Sequence, residues 1–302
     1  MCMPARLSCA NPDYYAMPLG AFTIVALSDG EFDLSAETLL IDRQPGHVRH
    51  LLTHAGLPGV ICSTVNAYLV DTGDARVLID AGAGALQGPG LGRLIPHMRA
   101  AGYAPEDVDL VLLTHLHPDH VGGIAHEGRA TFSKATVRVD EREMAFWCNR
   151  ANAEHVDESV RASFDGAATS LQPYKETARL ITFQTGEQLV PGIVAVALDG
   201  HTLGHTGFRI DSEGQRLVVC GDVLHVAAVQ LADPGVAIRY DSAPQRASET
   251  RTRLLAEAAA QHDWLAAAHA PFPGIGRVKR EEKGYEWEPI ASTSGCSQSK
   301  PK

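Results

Sequence analysis

Between Leu113 and His120 the chain reads Leu-Thr-His-Leu-His-Pro-Asp-His, placing three imidazoles and one carboxylate within six residues. The run follows the apolar stretch Leu110-Val111-Leu112-Leu113 and so sits at the mouth of a buried strand. His115 and His117 alternate as neighbours do in extended chain. Pro118 then breaks any regular ladder, so Asp119 and His120 point differently. One short segment can therefore serve two adjacent metal ions.

Other polar residues also stand where an apolar run stops. Asp80 follows Val77-Leu78-Ile79, Asp222 follows Leu217-Val218-Val219-Cys220-Gly221, and His269 follows Leu265-Ala266-Ala267-Ala268. Loops converge at strand ends in α/β architectures, and ligands bind there. His205, in Gly200-His201-Thr202-Leu203-Gly204-His205-Thr206, completes the set; His201 competes with it, and spacing alone does not choose between them. The candidate shell is His115, His117, Asp119, His120, His205, Asp222 and His269. It is all nitrogen and oxygen, which suits Zn²⁺ and also Mn²⁺, Co²⁺ or Fe²⁺. Seven ligands exceed one tetrahedral ion. Two ions about 3.5–4 Å apart, bridged by a carboxylate and a hydroxide, would use them all.

The elements that must position these groups alternate between strands and helices. Strands are expected at Ala21–Leu27 (leading into a turn at Ser28-Asp29-Gly30), Val65–Val70, Val77–Ile79, Leu110–Leu113, Thr136–Val139, Ile193–Leu198, Phe208–Ile210 and Leu217–Cys220. Asp71-Thr72-Gly73-Asp74 reads as a hairpin turn. Helices are expected at Leu91–Ala101, Asp140–Trp147 and Pro244–Gln261, the last with Ser242 as its N-cap. With no Pro/Ser-rich linker in the middle, this mixture predicts a single α/β domain over residues 13–290. Residues 1–12 and 291–302 read as disordered ends.

The length of 302 residues allows a large core, and 45% apolar with 21% charged residues is globular composition. A net charge of −10 argues against a nucleic-acid surface, which needs a basic stripe. No stretch approaches the ~20 apolar residues of a spanning helix. Met1 to Ala16 lacks the apolar core of a secretory signal, so the chain reads as cytoplasmic, with no membrane partner. The six cysteines include no Cys-x-x-Cys pair and suggest no disulfide framework.

The run His115-x-His117-x-Asp119-His120 resembles the signature of the metallo-β-lactamase superfamily. That resemblance implies a four-layer αββα sandwich with a dinuclear metal site at one edge. It implies that His115, His117 and His205 hold the first ion, that Asp119, His120 and His269 hold the second, and that Asp222 bridges. Asp80, in Ile79-Asp80-Ala81-Gly82, matches a position that orients the ligand loop. Ala81 replaces the usual threonine and Leu203 the usual proline, and neither change removes a ligand. Asp222 stands where the B1 β-lactamases carry cysteine, which disfavours a β-lactam substrate.

Further segments are similar to the methyl parathion hydrolase group, from about Asp13 to Pro289. They include Leu19-Gly20-Ala21-Phe22, Ser63 to Val70, Val226 to Gln230 and Ala266 to Gly276. Relatives in that group include lactonases, and members are commonly homodimers. The group has leucine where this chain has His225, and smaller or different residues near Ile238 and Tyr240. A histidine and a tyrosine beside the metals would polarise or hydrogen-bond a carbonyl or leaving oxygen. Lactone or ester hydrolysis by a bridging hydroxide is therefore expected ahead of phosphotriester hydrolysis, with a non-hydrolytic metal-binding role as a third reading. Asp119, Asp222, His225 and Tyr240 are the expected catalytic groups. Phe146, Trp147, Phe164, His225, Ile238, Tyr240 and Phe272 are the expected substrate contacts, with Trp147 favoured over Phe146 by family position.

Overall fold

A computed structural model describes residues 13–156 and 158–290. The expected ends, residues 1–12 and 291–302, lie outside the described residues. Two seven-stranded sheets are built one after the other along the chain. The first runs Tyr14–Leu19, Phe22–Leu34, Ile61–Asp71, Arg76–Ile79, Leu110–Leu112, Thr136–Asp140 and Leu180–Phe183. The second runs Gln188–Val190, Ile193–Ala197, Thr206–Ser212, Gln215–Gly221, Trp264–Ala267, Ile275–Arg280 and Tyr285–Pro289.

Side-chain alternation along each strand sets the layers. Val77, Ile79, Leu110 and Leu112 turn inward and meet Phe208, Ile210, Leu217 and Val219 of the second sheet. Leu78, Val111, Val137 and Val139 turn outward against the helices Leu94–Ala100 and Glu158–Glu176. Val218, Cys220, Leu265 and Ala267 turn to the other outside, under Leu254, Leu255 and Ala258 of the helix Pro244–Gln261. The order helix, sheet, sheet, helix is the expected αββα sandwich.

Both sheets change from antiparallel to parallel pairing at their centres. Arg76–Ile79, Leu110–Leu112 and Thr136–Asp140 run parallel, as do Gln215–Gly221 and Trp264–Ala267. The carboxyl ends of these strands deliver Asp80, the His115 run, Asp222 and His269 to one edge.

Several local expectations change. No turn forms at Ser28-Asp29-Gly30: the strand continues to Leu34 through a register shift between Ser28 and Gly30. Asp29 is buried there and accepts the amides of Ala83, Gly92 and Leu94. That clamp holds the segment before Leu94 as loop, so the expected helix Leu91–Ala101 spans only Leu94–Ala100. Ala243, not Ser242, caps the helix Pro244–Gln261, with no side-chain hydrogen bond. The charged stretch Arg277–Glu288 forms an antiparallel edge pair; Lys279, Glu286 and Glu288 point outward while Val278 is buried. The helix Glu158–Glu176 was not anticipated. No helix of the described residues is long and apolar enough to cross a membrane.

Candidate metal centre

Thr114 starts the site. Its amide and hydroxyl both bond to the Asp80 carboxylate, at 2.8 and 2.9 Å, which locks the chain as it leaves the strand. Pro118 then begins a short helix, Pro118–Val121, with His117 still extended at its N-cap. The turn carries Asp119 and His120 to the far side of His115, whose ring centre lies 4.1 Å from that of His120.

Two groups of candidate ligands result, and a third overlaps both. His115, His117, His201 and Asp222 place ligand atoms within 4.8 Å of one another, and so do Asp119, His120 and His269; the overlapping set is Asp222, His225 and His269. Asp222 joins them. One oxygen, Oδ2, lies 3.3 Å from His201 Nε2, 3.7 Å from His115 Nε2 and 3.2 Å from His269 Nε2, while Oδ1 lies 3.1 Å from His120 Nε2. His269 Nε2 and His120 Nε2 stand 3.6 and 3.7 Å from Asp119 Oδ2.

The histidine of the Gly200–Thr206 loop in this cluster is His201, correcting the expectation of His205. Both ring nitrogens of His205 are engaged elsewhere. Nδ1–H donates to Leu198 O at 2.9 Å, and Nε2 accepts the Asp222 amide at 3.0 Å. His205 thus pins the backbone of Asp222 and turns no lone pair toward the cluster.

The outer nitrogens of the clustered imidazoles have partners that fix ring orientation. His120 Nδ1 meets Asp80 Oδ2 at 2.8 Å, His201 Nδ1 meets Asp241 Oδ1 at 3.0 Å, and His269 Nδ1 meets Thr64 O at 2.9 Å. The inner atoms are different: His115 Nε2, His120 Nε2 and Asp222 Oδ1 are buried with no hydrogen-bond partner. Buried polar atoms are rarely left so. Orphaned lone pairs converging from an all-nitrogen and oxygen donor set fit divalent cations of the zinc type.

Burial pushes the imidazolium pKa values of His115 and His117 well below the usual value, and neighbouring histidines add to it. Both are therefore neutral ligands at pH 7. Burial likewise drives His205 to about 3 and His225 to about 4, against the pull of Asp222. For His120 and His269, burial also favours the neutral ring, but Asp222 and Asp119 prevail and hold both above the usual value. Burial alone would raise Asp222; the surrounding His120, His269, His225 and His115 instead hold it well below the usual carboxylate range.

His225 Nε2 lies 3.1 Å from Asp222 Oδ2, and its ring stacks on His269 at 5.1 Å. Tyr240, 44% exposed, is 6.2 Å from His225 between ring centres and marks the open side of the site. The other expected substrate contacts divide. Trp147 is buried in the core, edge-on to His117 at 5.1 Å, so it walls the ligand rather than opening into a pocket. Phe164 is buried against it at 4.7 Å, and Phe146 is only partly buried beside both. Ile238 is fully buried in a separate cluster with Leu34, Val226 and Val229, and Phe272 packs on the inter-sheet core. Ile238 thus gives its apolar surface to the interior, while Phe272 is only partly buried.

Sequence reasoning did not reach Asp241, Phe32 (6.1 Å edge-on to His269), or Gln230, whose Oε1 accepts the amides of His225 and Val226. None stands in a metal-ligand pattern, and Gln230, though it follows the apolar run Val226 to Val229, is not a metal-ligating residue type.

A sequence model of the metallo-beta-lactamase superfamily matches residues 60–269. The chain belongs to the metallo-beta-lactamase superfamily. Among solved structures of this family, the hydrolase AbOPH of the beta lactamase superfamily is similar at 35% identity and a TM-score of 0.87, covering 92% of this chain and 98% of that one. AidC, a dizinc quorum-quenching lactonase in complex with a product, superposes with a TM-score of 0.84 over 92% of this chain and 97% of that one; at 22% identity the likeness is one of fold. Among curated relatives, a probable metallo-hydrolase of Mycobacterium tuberculosis is 26% identical over 196 residues, 54% of this chain. An N-acyl homoserine lactonase of Bacillus cereus is 24% identical over 171 residues, 50% of this chain. The matches span 61% and 60% of those two proteins.

Proposed function

We propose that this superfamily member is a dinuclear-metal hydrolase acting on lactones or related esters. The observation that carries the proposal is the pair of ligand clusters with the Asp222 carboxylate within 3.3 Å of His201, His120 and His269, lined by orphaned buried lone pairs. His115, His117 and His201 would hold one ion, Asp119, His120 and His269 the other, and Asp222 both. Two divalent ions, zinc by donor type, would supply a hydroxide nucleophile near neutral pH and polarise an ester carbonyl.

The chain's own residues do the rest. Asp80, Asp241 and Thr64 O hold three imidazoles in one tautomer each, so their inner lone pairs need no reorganisation. His225, neutral at pH 7, can donate a ring N–H to a carbonyl or leaving oxygen. Tyr240 stays protonated, since partial burial and the nearby Asp119 raise its pKa, and it can donate its hydroxyl proton at the open side. Asp119, the more exposed of the two clustered carboxylates, is placed to accept or return a proton there. A polar His225–Tyr240 wall favours a carbonyl substrate over an apolar aryl phosphotriester. The relatives named as N-acyl homoserine lactonases support the same substrate class.

The test compares kcat/KM for an N-acyl homoserine lactone, dihydrocoumarin and methyl parathion on metal-replete enzyme. Lactones should lead, and chelation should abolish turnover. A higher kcat/KM for the phosphotriester would reverse the substrate assignment, and a fully active metal-free enzyme would remove the metal reading. Replacing His225 by leucine should move the ratio toward the phosphotriester by about tenfold, the order of one lost hydrogen bond.

A further inference from the structure

Glu143 is a fully buried carboxylate outside both ligand clusters. It projects from the short helix Glu141–Trp147, whose N-cap Asp140 accepts the Arg142 amide. One oxygen, Oε2, accepts the Leu116 amide at 3.1 Å, and the other, Oε1, accepts the Gly204 amide at 2.8 Å. Leu116 lies between His115 and His117. Gly204 lies on the loop that carries His201. Burial raises the pKa of the Glu143 carboxyl, while the neighbouring Thr202 side chain and the Gly204 and Leu116 amides pull it down; Trp147, on the same helix, packs edge-on to His117. Gly204 presses on the same helix turn: a Cβ there would meet the Glu143 amide at 2.8 Å and Asp140 Oδ1 at 2.9 Å.

We propose that Glu143 is a positioning residue that clamps the His115–His117 segment to the His201 loop, and so sets the three-histidine half of the centre without acting on the other half. The inference rests on the metal reading above. Its physical basis is stoichiometric. A carboxylate offers an acceptor on each oxygen, so it can take one backbone donor from each loop. His120 and His269 are held by other means, through Asp80 and Thr64 O. No bond from Glu143 to that half is among the described hydrogen bonds. Glutamine has the same shape but only one oxygen; its amide group would face a backbone N–H and open one side of the clamp.

The experiment titrates metal-free full-length protein with Co²⁺, followed by visible absorption, for the wild type, Glu143→Gln and His201→Ala. The wild type should bind two equivalents. Glu143→Gln should weaken one of them tenfold or more, within the ten- to hundredfold range of outer-sphere substitutions, and leave the other within twofold. The weakened equivalent should be the one that His201→Ala removes. A wild type that binds no Co²⁺ overturns the metal reading itself. Two unchanged equivalents in Glu143→Gln overturn only the clamp. Equal weakening of both, with a lowered Tm, also overturns it, because that is what a merely structural role produces. Should Glu143→Gln fail to fold, hydrogen exchange on the metal-free wild type decides. The clamp requires protected Leu116 and Gly204 amides, and exchange as fast as that of exposed loop amides rules it out.

Discussion

His201 and His205 sit four residues apart on one loop, yet they do different work. His201 points its Nε2 at Asp222 and has its Nδ1 fixed by Asp241. His205 spends both nitrogens on Leu198 O and the Asp222 amide. Replacing His201 by alanine should reduce bound metal to about one ion per chain, and His205→Ala should retain two, as read by metal analysis of the purified variants. His205→Ala should instead lower stability by about 1–3 kcal/mol, since it strands a buried donor and acceptor. The reverse pattern of metal content would return His205 to the ligand set. His205 also carries a pH signature. Its folded pKa of about 3 lies below the unfolded value near 6.5, so the unfolded state binds the extra proton. Its presence therefore costs stability progressively as pH falls from 6.5 toward 3, by up to about 1.4 kcal/mol per pH unit. Urea unfolding of metal-free protein at pH 6.5 and 4.5 should show a smaller loss for His205→Gln than for the wild type.

At the scale of elements, the helix Pro244–Gln261 was legible to the residue because Ala247, Thr250, Arg251, Leu254, Leu255 and Ala258 repeat at helical spacing and are all buried. Its end is less favourable. His262 adopts a left-handed φ of 56° to close the helix on Ala258 O. Glycine takes that conformation without Cβ strain, so His262→Gly should raise stability by about 1 kcal/mol. A Tm increase of roughly 2 °C in thermal unfolding would report it, and an unchanged or lower Tm would show that the His262 side chain compensates. The helix Glu158–Glu176 escaped notice although Val160, Phe164, Ala167, Leu171 and Tyr174 share one face. Gly166 and Pro173 punctuate it, and both residue types ordinarily signal an interruption. Tertiary packing overrides them: Phe164, Leu171 and Tyr174 are buried against the first sheet and its helices.

At the scale of the molecule, the metal centre depends on two sheets holding their separation. The first sheet supplies Asp80 and the His115 run, and the second supplies Asp222 and His269. Phe183 and Phe208 meet edge-on across that gap at 5.9 Å, both buried. Phe208→Ala should cost about 3–5 kcal/mol, the usual penalty for deleting a buried ring, and weaken metal retention in parallel. Denaturant unfolding and metal content on the same samples check this; a loss under 1 kcal/mol would mean the sheets do not rely on that contact. Metal binding should in turn raise the midpoint of unfolding, because ions held by the folded state alone stabilise it by mass action. Chelated protein with an unchanged midpoint would contradict the buried centre.

Residue types and short spacings were enough to point to a metallo-hydrolase of this superfamily. Three imidazoles and a carboxylate after an apolar strand are a local pattern, and Pro118 divides them between two directions within a single turn. The strand ends bearing Asp80, Asp222 and His269 were legible for the same reason: burial of Val77–Ile79, Leu217–Cys220 and Leu265–Ala267 shows in composition. Orientation was not legible. His201 rather than His205 faces Asp222, Trp147 packs into the core, and Glu143 and Asp241 brace the ligands. Each of these depends on a hydrogen bond or contact with a distant part of the chain. Spacing constrains only the residues that a strand or a helical turn brings together, so the partners of a buried polar atom are settled when the two sheets close.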